Sequence, residues 1–403
     1  MTLSPSLIRL LIVTFVALGS CTYGYSSSII ATTLGQPTFI AYFDLDPANR
    51  SNANGAMLGL GYAVASWIGV GFYFVNASGT QWRLPLAIQC LWPLLLAGGI
   101  MMVPETPRWL LLQNRTDDAF AAFKATRAET SDQFESDQDA MRADFDHLCA
   151  QVAHEVRNSV SFAGMFRTKA LRKRCAIGFL TTFGAQCTAT IVINNYGPLL
   201  YKSLGFDTIR QLLMAAGWIS FAPVGNLLNA FVVDHFGRAK MLLFGFTGCV
   251  VALTGECITV SKFQDTGHRS AAIGAVFFLY LHVAIFASTC DATTYIYASE
   301  IFPTPVRAKG LAISVSGLFV ATIIFTSAAP TAFADIGWKY YLIFTIMTAA
   351  TLVVMWFWFP ETSKRSLEEV QALFGDSLED LGEVQVVSQE KQGTTITHDD
   401  LKV

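Results

Sequence analysis

The sequence predicts an all-α membrane protein, and three observations carry that prediction. Only 57 of the 403 residues are Asp, Glu, Lys or Arg, which is 14%, against about 25% in an ordinary soluble domain. Apolar residues make up 53%, with 31 Phe, and the mean hydropathy is +0.44. So few charges do not cover that much apolar surface in water. The charges are also segregated: residues 105–174 and 361–403 hold 36 of the 57, which leaves 21 for the other 290 residues. A soluble enzyme, a disordered chain and a nucleic-acid binder are excluded. The net charge of −3 offers no basic excess to phosphate partners.

The elements follow in chain order. Residues 10–43 carry no charge and exceed the roughly 20 residues that a bilayer helix needs. The run is too long for a signal peptide and lacks a small-residue cleavage site. Residues 51–82 and 84–104 are likewise uncharged. The stretch 105–174 changes character, with 11 acids and 11 bases. It predicts a soluble linker with amphipathic helices over 117–127 and 134–156. Residues 175–201, 211–233, 310–334 and 340–360 are again free of charge, whereas 241–261 holds Glu256 and 271–299 holds Asp291. That makes nine spans. All are expected to be helices, because lipid cannot satisfy open backbone groups and a barrel would show short alternating segments. The last 43 residues are acidic, with a helix expected over 366–381 and disorder beyond it. The eight Cys, mostly inside apolar runs, read as small residues at lipid depth, not as a disulfide framework or metal site.

Basic residues set the orientation. Arg172-Lys173-Arg174, Arg238/Lys240 and Arg307/Lys309 fall on the side of residues 105–174, which is therefore expected to be cytoplasmic. The first half does not fit this count. With Arg9 also inside, the run over 55–75 would begin and end on the same side, which one spanning helix cannot do. The segment is then re-entrant, or the N-terminus lies outside, or helices present in a full bundle are missing from the chain.

Four motifs occur in a fixed order: Pro104-Glu105-Thr106-Pro107-Arg108-Trp109-Leu110; Asp234-His235-Phe236-Gly237-Arg238; Tyr297-Ala298-Ser299-Glu300-Ile301-Phe302-Pro303 before Arg307-Ala308-Lys309-Gly310; and Pro360-Glu361-Thr362. Together they resemble the sugar porter family of the major facilitator superfamily, particularly its fungal members, over nearly the whole chain. The resemblance implies twelve helices in two six-helix halves. Residues 1–104 then form an incomplete N-terminal half, 105–174 the linker, 175–360 a six-helix C-terminal half and 361–403 a cytoplasmic tail. Residues 10–43 match the first helix, 51–57 the start of the second, 62–82 the fifth and 84–104 the sixth. The intervening helices are expected to be missing. The implied activity is transport of a hexose or similar carbohydrate by alternating access, not catalysis. No cofactor is implied. The partners are the sugar-like substrate, protons and the lipid bilayer, with no nucleic acid, and the place is the plasma membrane. The alternatives are an inactive truncated product and a non-transporting sensor of the same family, which would normally carry a longer tail.

The resemblance also nominates residues. Glu105, Arg108, Asp234, Arg238, Glu300, Arg307 and Glu361 match gating ion pairs at cytoplasmic helix ends, which break when the halves rock; the plainer reading of the bases is helix anchoring. In the family's seventh helix, Gln186 and Tyr196 match the sugar-binding pattern, and Asn194 and Asn195 are additional amides there. Such amides can bond sugar hydroxyls, and equally can join helices inside a bundle. Tyr295 stands where the family has Trp, and Ser316-Gly317-Leu318 where it has Asn-Trp, so the hexose ligands are incompletely reproduced. Ser26 stands where proton-driven members carry an acid. Asp291 is the coupling candidate, because acids at membrane depth mark ion and substrate pathways; its plainer role is a structural partner of His282. Glu256 reads as an interface residue near the outer end of its helix. Asn49 and Asn76 begin outer glycosylation sequons.

Overall fold

The structure, a computed structural model, describes residues 55–374 apart from 76–79, 101–104, 128–137, 158–160, 304–305, 364, 366–368 and 371–372. The predicted first run over 10–43, Ser26, both outer sequons and most of the predicted tail helix lie outside the described residues. Among those described, every regular element is a helix.

The chain opens with α1 (Gly55–Tyr73), α2 (Thr80–Gln89) and α3 (Leu91–Ile100). The uncharged run over 84–104, expected as one span, is interrupted at Cys90. Pro93 lacks the N–H that would bond the Gln89 carbonyl in a continuous helix. Next come the linker helices α4 (Pro107–Leu112), α5 (Thr116–Arg127) and α6 (Gln138–Arg157). Thr106 caps α4, its hydroxyl accepting from the Trp109 N–H at 3.3 Å, and Pro107 fills the first helical position. Part of the Glu-Thr-Pro-Arg motif is thus a helix start. Leu110, Ala119 and Phe145 form a small buried core there, with Phe120 and Phe145 ring to ring at 5.0 Å.

A single 3-10 turn leads into the main bundle: α7 (Lys169–Cys187), α8 (Thr190–Ser203), α9 (Thr208–Phe236), α10 (Arg238–Thr266), α11 (Arg269–Thr289), α12 (Asp291–Glu300), α13 (Arg307–Asp335) and α14 (Lys339–Trp358). Taking α7 with α8 and α11 with α12, six stretches among the described residues are long and apolar enough to cross a bilayer.

The distribution of side chains is inverted relative to a water-soluble fold. Phe231, Phe244, Trp356 and Phe357 are at least 67% exposed, whereas Gln186, Asn229, Glu256 and His282 are at most 3% exposed. Hydrocarbon as solvent explains this, since apolar surface costs nothing there and bare polar groups do. Burial of apolar area therefore cannot hold the helices together; close packing does. Glycines supply it. Gly245, Gly248 and Gly255 of α10 face Thr289, Ile285 and Phe278, and Gly317 of α13 lies against the Phe179 carbonyl of α7. α1 joins the bundle along α9, where Trp67 Nε1 donates to Ser220 Oγ at 3.0 Å and Val70 packs on Leu212 and Ala216.

A methyl group added at Gly317 would sit 2.5 Å from the Phe179 carbonyl oxygen, whereas at Gly71 it would meet nothing within 4 Å. Gly317→Ala is expected to lower the melting temperature in detergent, at a cost of about 1–3 kcal/mol. Gly71→Ala should leave it unchanged or slightly raised, because alanine favours a helix interior.

Candidate functional site

Two of the six spans are broken near mid-depth. The first break separates α7 from α8. Ala189 adopts the left-handed conformation with φ +67°, which costs a residue with a β-carbon roughly 1–2 kcal/mol. The freed backbone finds partners. Thr188 Oγ1 donates to the Ala185 carbonyl at 2.7 Å and lies 2.8 Å from Thr190 Oγ1. Thr348 of α14 donates its hydroxyl to the Cys187 carbonyl at 2.9 Å. Farther along, Pro198 lies inside α8 and cannot donate to the Asn194 carbonyl.

The second break lies at Cys290, between α11 and α12. Here the support comes from two amides of α9. Asn229 Nδ2 donates to the Ser288 carbonyl at 3.0 Å and to Thr293 Oγ1 at 2.9 Å. Asn226 Nδ2 donates to Asp291 Oδ2 at 2.8 Å.

A cleft of about 560 Å³ of empty space, partly open, joins the two breaks. Gln186, Thr190 and Asn194 line it from the first, Phe286 and Asp291 from the second, Trp218 and Ile219 from α9, and Tyr62 from α1. Gln186 is 3% exposed and its Oε1 has no hydrogen-bond partner. A buried amide oxygen in that state costs on the order of 1–3 kcal/mol until a donor arrives.

Of the residues nominated from sequence, Gln186, Asn194 and Asp291 thus share one cleft. Asn195 and Tyr196 do not line it. Successive helical residues are turned by 100°, so the run of three from Asn194 to Tyr196 cannot all face one cavity. Tyr196 is 1% exposed and donates its hydroxyl to the Thr326 carbonyl of α13 at 3.0 Å, joining helices. Asp291 is partnered by Asn226, and His282 lies instead against Thr188 at the first break. Glu256 is fully buried and not at an outer interface. Asn226 and Asn229 were not nominated, although two amides three residues apart in an uncharged run were a usable signal.

A second assembly sits where α10 begins and α12 ends. Arg238 Nε and Nη2 each lie 3.1 Å from Glu300 Oε1, and Nη1 donates to Ser363 Oγ at 3.2 Å. Thr362 Oγ1 donates to Glu300 Oε2 at 2.8 Å. The Glu361 carboxylate accepts from the backbone N–H groups of Arg238 at 2.9 Å, Ala239 at 3.3 Å and Lys240 at 3.2 Å, and of Thr362 and Ser363 at 3.1 Å. It is a negative charge on a helix N-terminus, where orphan N–H groups and the helix dipole both favour it. Gly237 makes the approach possible. Its φ is +95°, and a β-carbon there would lie 2.7 Å from Glu361 Oε2. Arg307 Nε donates to the Phe302 carbonyl at 3.4 Å. Glu105 and Arg108 are exposed at the start of the linker. The side chain of Asp234 lies outside the described residues.

The family described as "Sugar (and other) transporter" matches residues 51–374. The MFS-type transporter criB of Aspergillus cristatus is 29% identical over 325 residues, covering 79% of this chain and 64% of that protein. The sugar transporter STL1 of Saccharomyces cerevisiae is 28% identical over 331 residues, covering 82% and 57%. The chain therefore spans less than two thirds of the length of either relative. Among solved structures, the MFS proton:xylose symporter XylE bound to 6-bromo-6-deoxy-D-glucose superposes with a TM-score of 0.61 at 21% identity, covering 88% of this chain and 70% of that one. The inward-open xylose transporter XylE from E. coli superposes at 0.58 and 20% identity, covering 89% and 83%. At these identities the likeness is one of fold: the bundle is a major facilitator bundle.

Glu361→Ala removes an acceptor shared by five N–H groups. It is expected to lower stability by about 1–3 kcal/mol in a thermal melt of the purified protein, whereas Glu105→Ala, at an exposed position, should shift the melt little.

Proposed function

Because the chain belongs to the sugar (and other) transporter family, we propose that it carries a sugar or similar polyhydroxylated molecule across a membrane by alternating access. The observation that carries this reading is the cleft itself. It lies between two interrupted helices and holds a buried amide oxygen, that of Gln186, which lacks a donor. Interrupted helices bordering a mid-membrane cavity are how transporters present polar groups to a solute in lipid.

The chemistry follows from the donors and acceptors. Gln186 and Asn194 are amides, each able to accept from one substrate hydroxyl and donate to another. Asp291 has one oxygen held by Asn226, and its second oxygen is available to a substrate hydroxyl or a proton. Trp218 supplies an apolar face, which suits the C–H side of a sugar ring. The half-buried Arg238–Glu300 pair and the Glu361 cap form the latch, and in this reading they close the cytoplasmic end and part when the halves rock. The relatives named as a sugar transporter and as a proton:xylose symporter support a sugar and a proton as the transported pair. The plasma membrane is the proposed site, residues 105–174 and 361–403 being cytoplasmic. Residues 1–104 and 175–360 act as the two halves that rock about the cleft.

The test is uptake of radiolabelled hexoses, pentoses and polyols into a host without its own sugar transporters. Saturable uptake of at least one of them is expected. Asp291→Asn should abolish accumulation against a gradient while leaving exchange, because the neutral amide still bonds a hydroxyl but cannot carry a proton. Absence of uptake for every sugar at normal surface expression would overturn the reading, and uphill accumulation by Asp291→Asn would remove Asp291 from coupling.

A further inference from the structure

Toward the end of α10 remote from Arg238, Glu256 lies outside the cleft and is fully buried. Neither of its carboxyl oxygens has a hydrogen-bond partner. The groups that face it come from three helices. Tyr341 of α14 turns its hydroxyl toward the carboxyl without reaching bonding geometry. Tyr201 of α8 is 1% exposed, and its hydroxyl is also unpartnered. Cys257 of α10 stands beside it, its Sγ 3.9 Å from Thr345 Oγ1. Behind Tyr201, Tyr280 of α11 is already committed, donating to the Met214 carbonyl at 2.8 Å. No basic side chain among the described residues pairs with Glu256.

A carboxylate in such a place has no cation and no donor, and an unpaired charge there costs several kcal/mol. The neutral acid has an O–H to give and a carbonyl to accept with, and the two phenols can match both. The phenol of Tyr201 belongs to α8, a helix of 14 residues that hangs from the left-handed Ala189 and contains Pro198. If α8 swings about that joint, Tyr201 leaves and water reaches the carboxyl. We propose that Glu256 is a proton-binding site separate from the cleft, loaded while Tyr201 covers it and emptied to water when α8 withdraws. The step is a simple transfer: hydronium gives a proton to the carboxylate as α8 closes, leaving water, and on opening the acid returns the proton to water as hydronium.

The proposal is read without any transport assay. Infrared spectra of the purified full chain in lipid nanodiscs, recorded in a pH titration, report the carbonyl stretch of protonated carboxylic acids. That band is expected in the wild type at neutral pH, retained in Asp291→Asn and lost in Glu256→Gln. Tyr201→Ala, which uncovers the site, should move its disappearance to lower pH. If Glu256→Gln does not fold, Glu256→Asp should shift the band. A wild-type spectrum without the band, a band that survives Glu256→Gln unchanged, or one that Glu256→Asp leaves in place would overturn the assignment. So would a titration that Tyr201→Ala leaves unmoved.

Discussion

A helix interrupted inside a bilayer exposes backbone groups that hydrocarbon cannot satisfy, and the rest of this structure is arranged around two such interruptions. Each freed carbonyl needs a donor from a neighbouring helix, which determines where polar residues stand in an otherwise apolar bundle. Thr348 answers the Cys187 carbonyl and Asn229 the Ser288 carbonyl. Those donors fix α14 against α7 and α9 against α11 and α12. Beside the first break the side-chain oxygen of Gln186 is among the buried polar atoms left without a partner. The two breaks bring Gln186, Asn194 and Asp291 to one cleft among apolar side chains.

The breaks also shorten the levers. α12 runs from Asp291 at the cleft to Glu300 in the ion-paired assembly, a rod of about 15 Å at 1.5 Å per residue. Asn226 and Asn229 hold one end, and Arg238 with Thr362 holds the other. The cleft and the ion-paired assembly are thus at the two ends of one helix. Any displacement of α12 changes both, and the Glu361 cap ties that movement to the start of α10.

The spans themselves were legible in the sequence because lipid demands long uncharged runs, and 175–360 supplies them plainly. Arg238, Glu300 and Glu361 were legible as short motifs. Their meeting across 62 and 123 residues is tertiary, so no local pattern carries it. The first break was not legible. Thr188-Ala189-Thr190 contains neither glycine nor proline, and Ala189 is held left-handed by its surroundings against its own preference. The same limit explains Asn195 and Tyr196, which follow Asn194 in sequence and turn away from it in space. Glu256 looked peripheral from its place along α10, since burial is decided by neighbouring helices, α11 and α14 foremost. Asn226 and Asn229 were visible as amides in an apolar run, but only the second break shows what they support.

The claim on which the account rests is that the space between the two breaks holds a sugar through Gln186. Trp218 lines that space, buried, with its indole N–H fixed on the Leu279 carbonyl at 3.0 Å, so it reports on occupancy. The most direct measurement is an equilibrium fluorescence titration of the purified protein with a panel of hexoses, pentoses and polyols, using Trp218→Phe to identify the signal. The account predicts a saturable change for at least one sugar that Trp218→Phe removes and Gln186→Ala weakens at least tenfold, the loss of about 1.4 kcal/mol of binding. A protein whose Trp218 signal responds to none of them, or whose affinity is unchanged by Gln186→Ala, would contradict it.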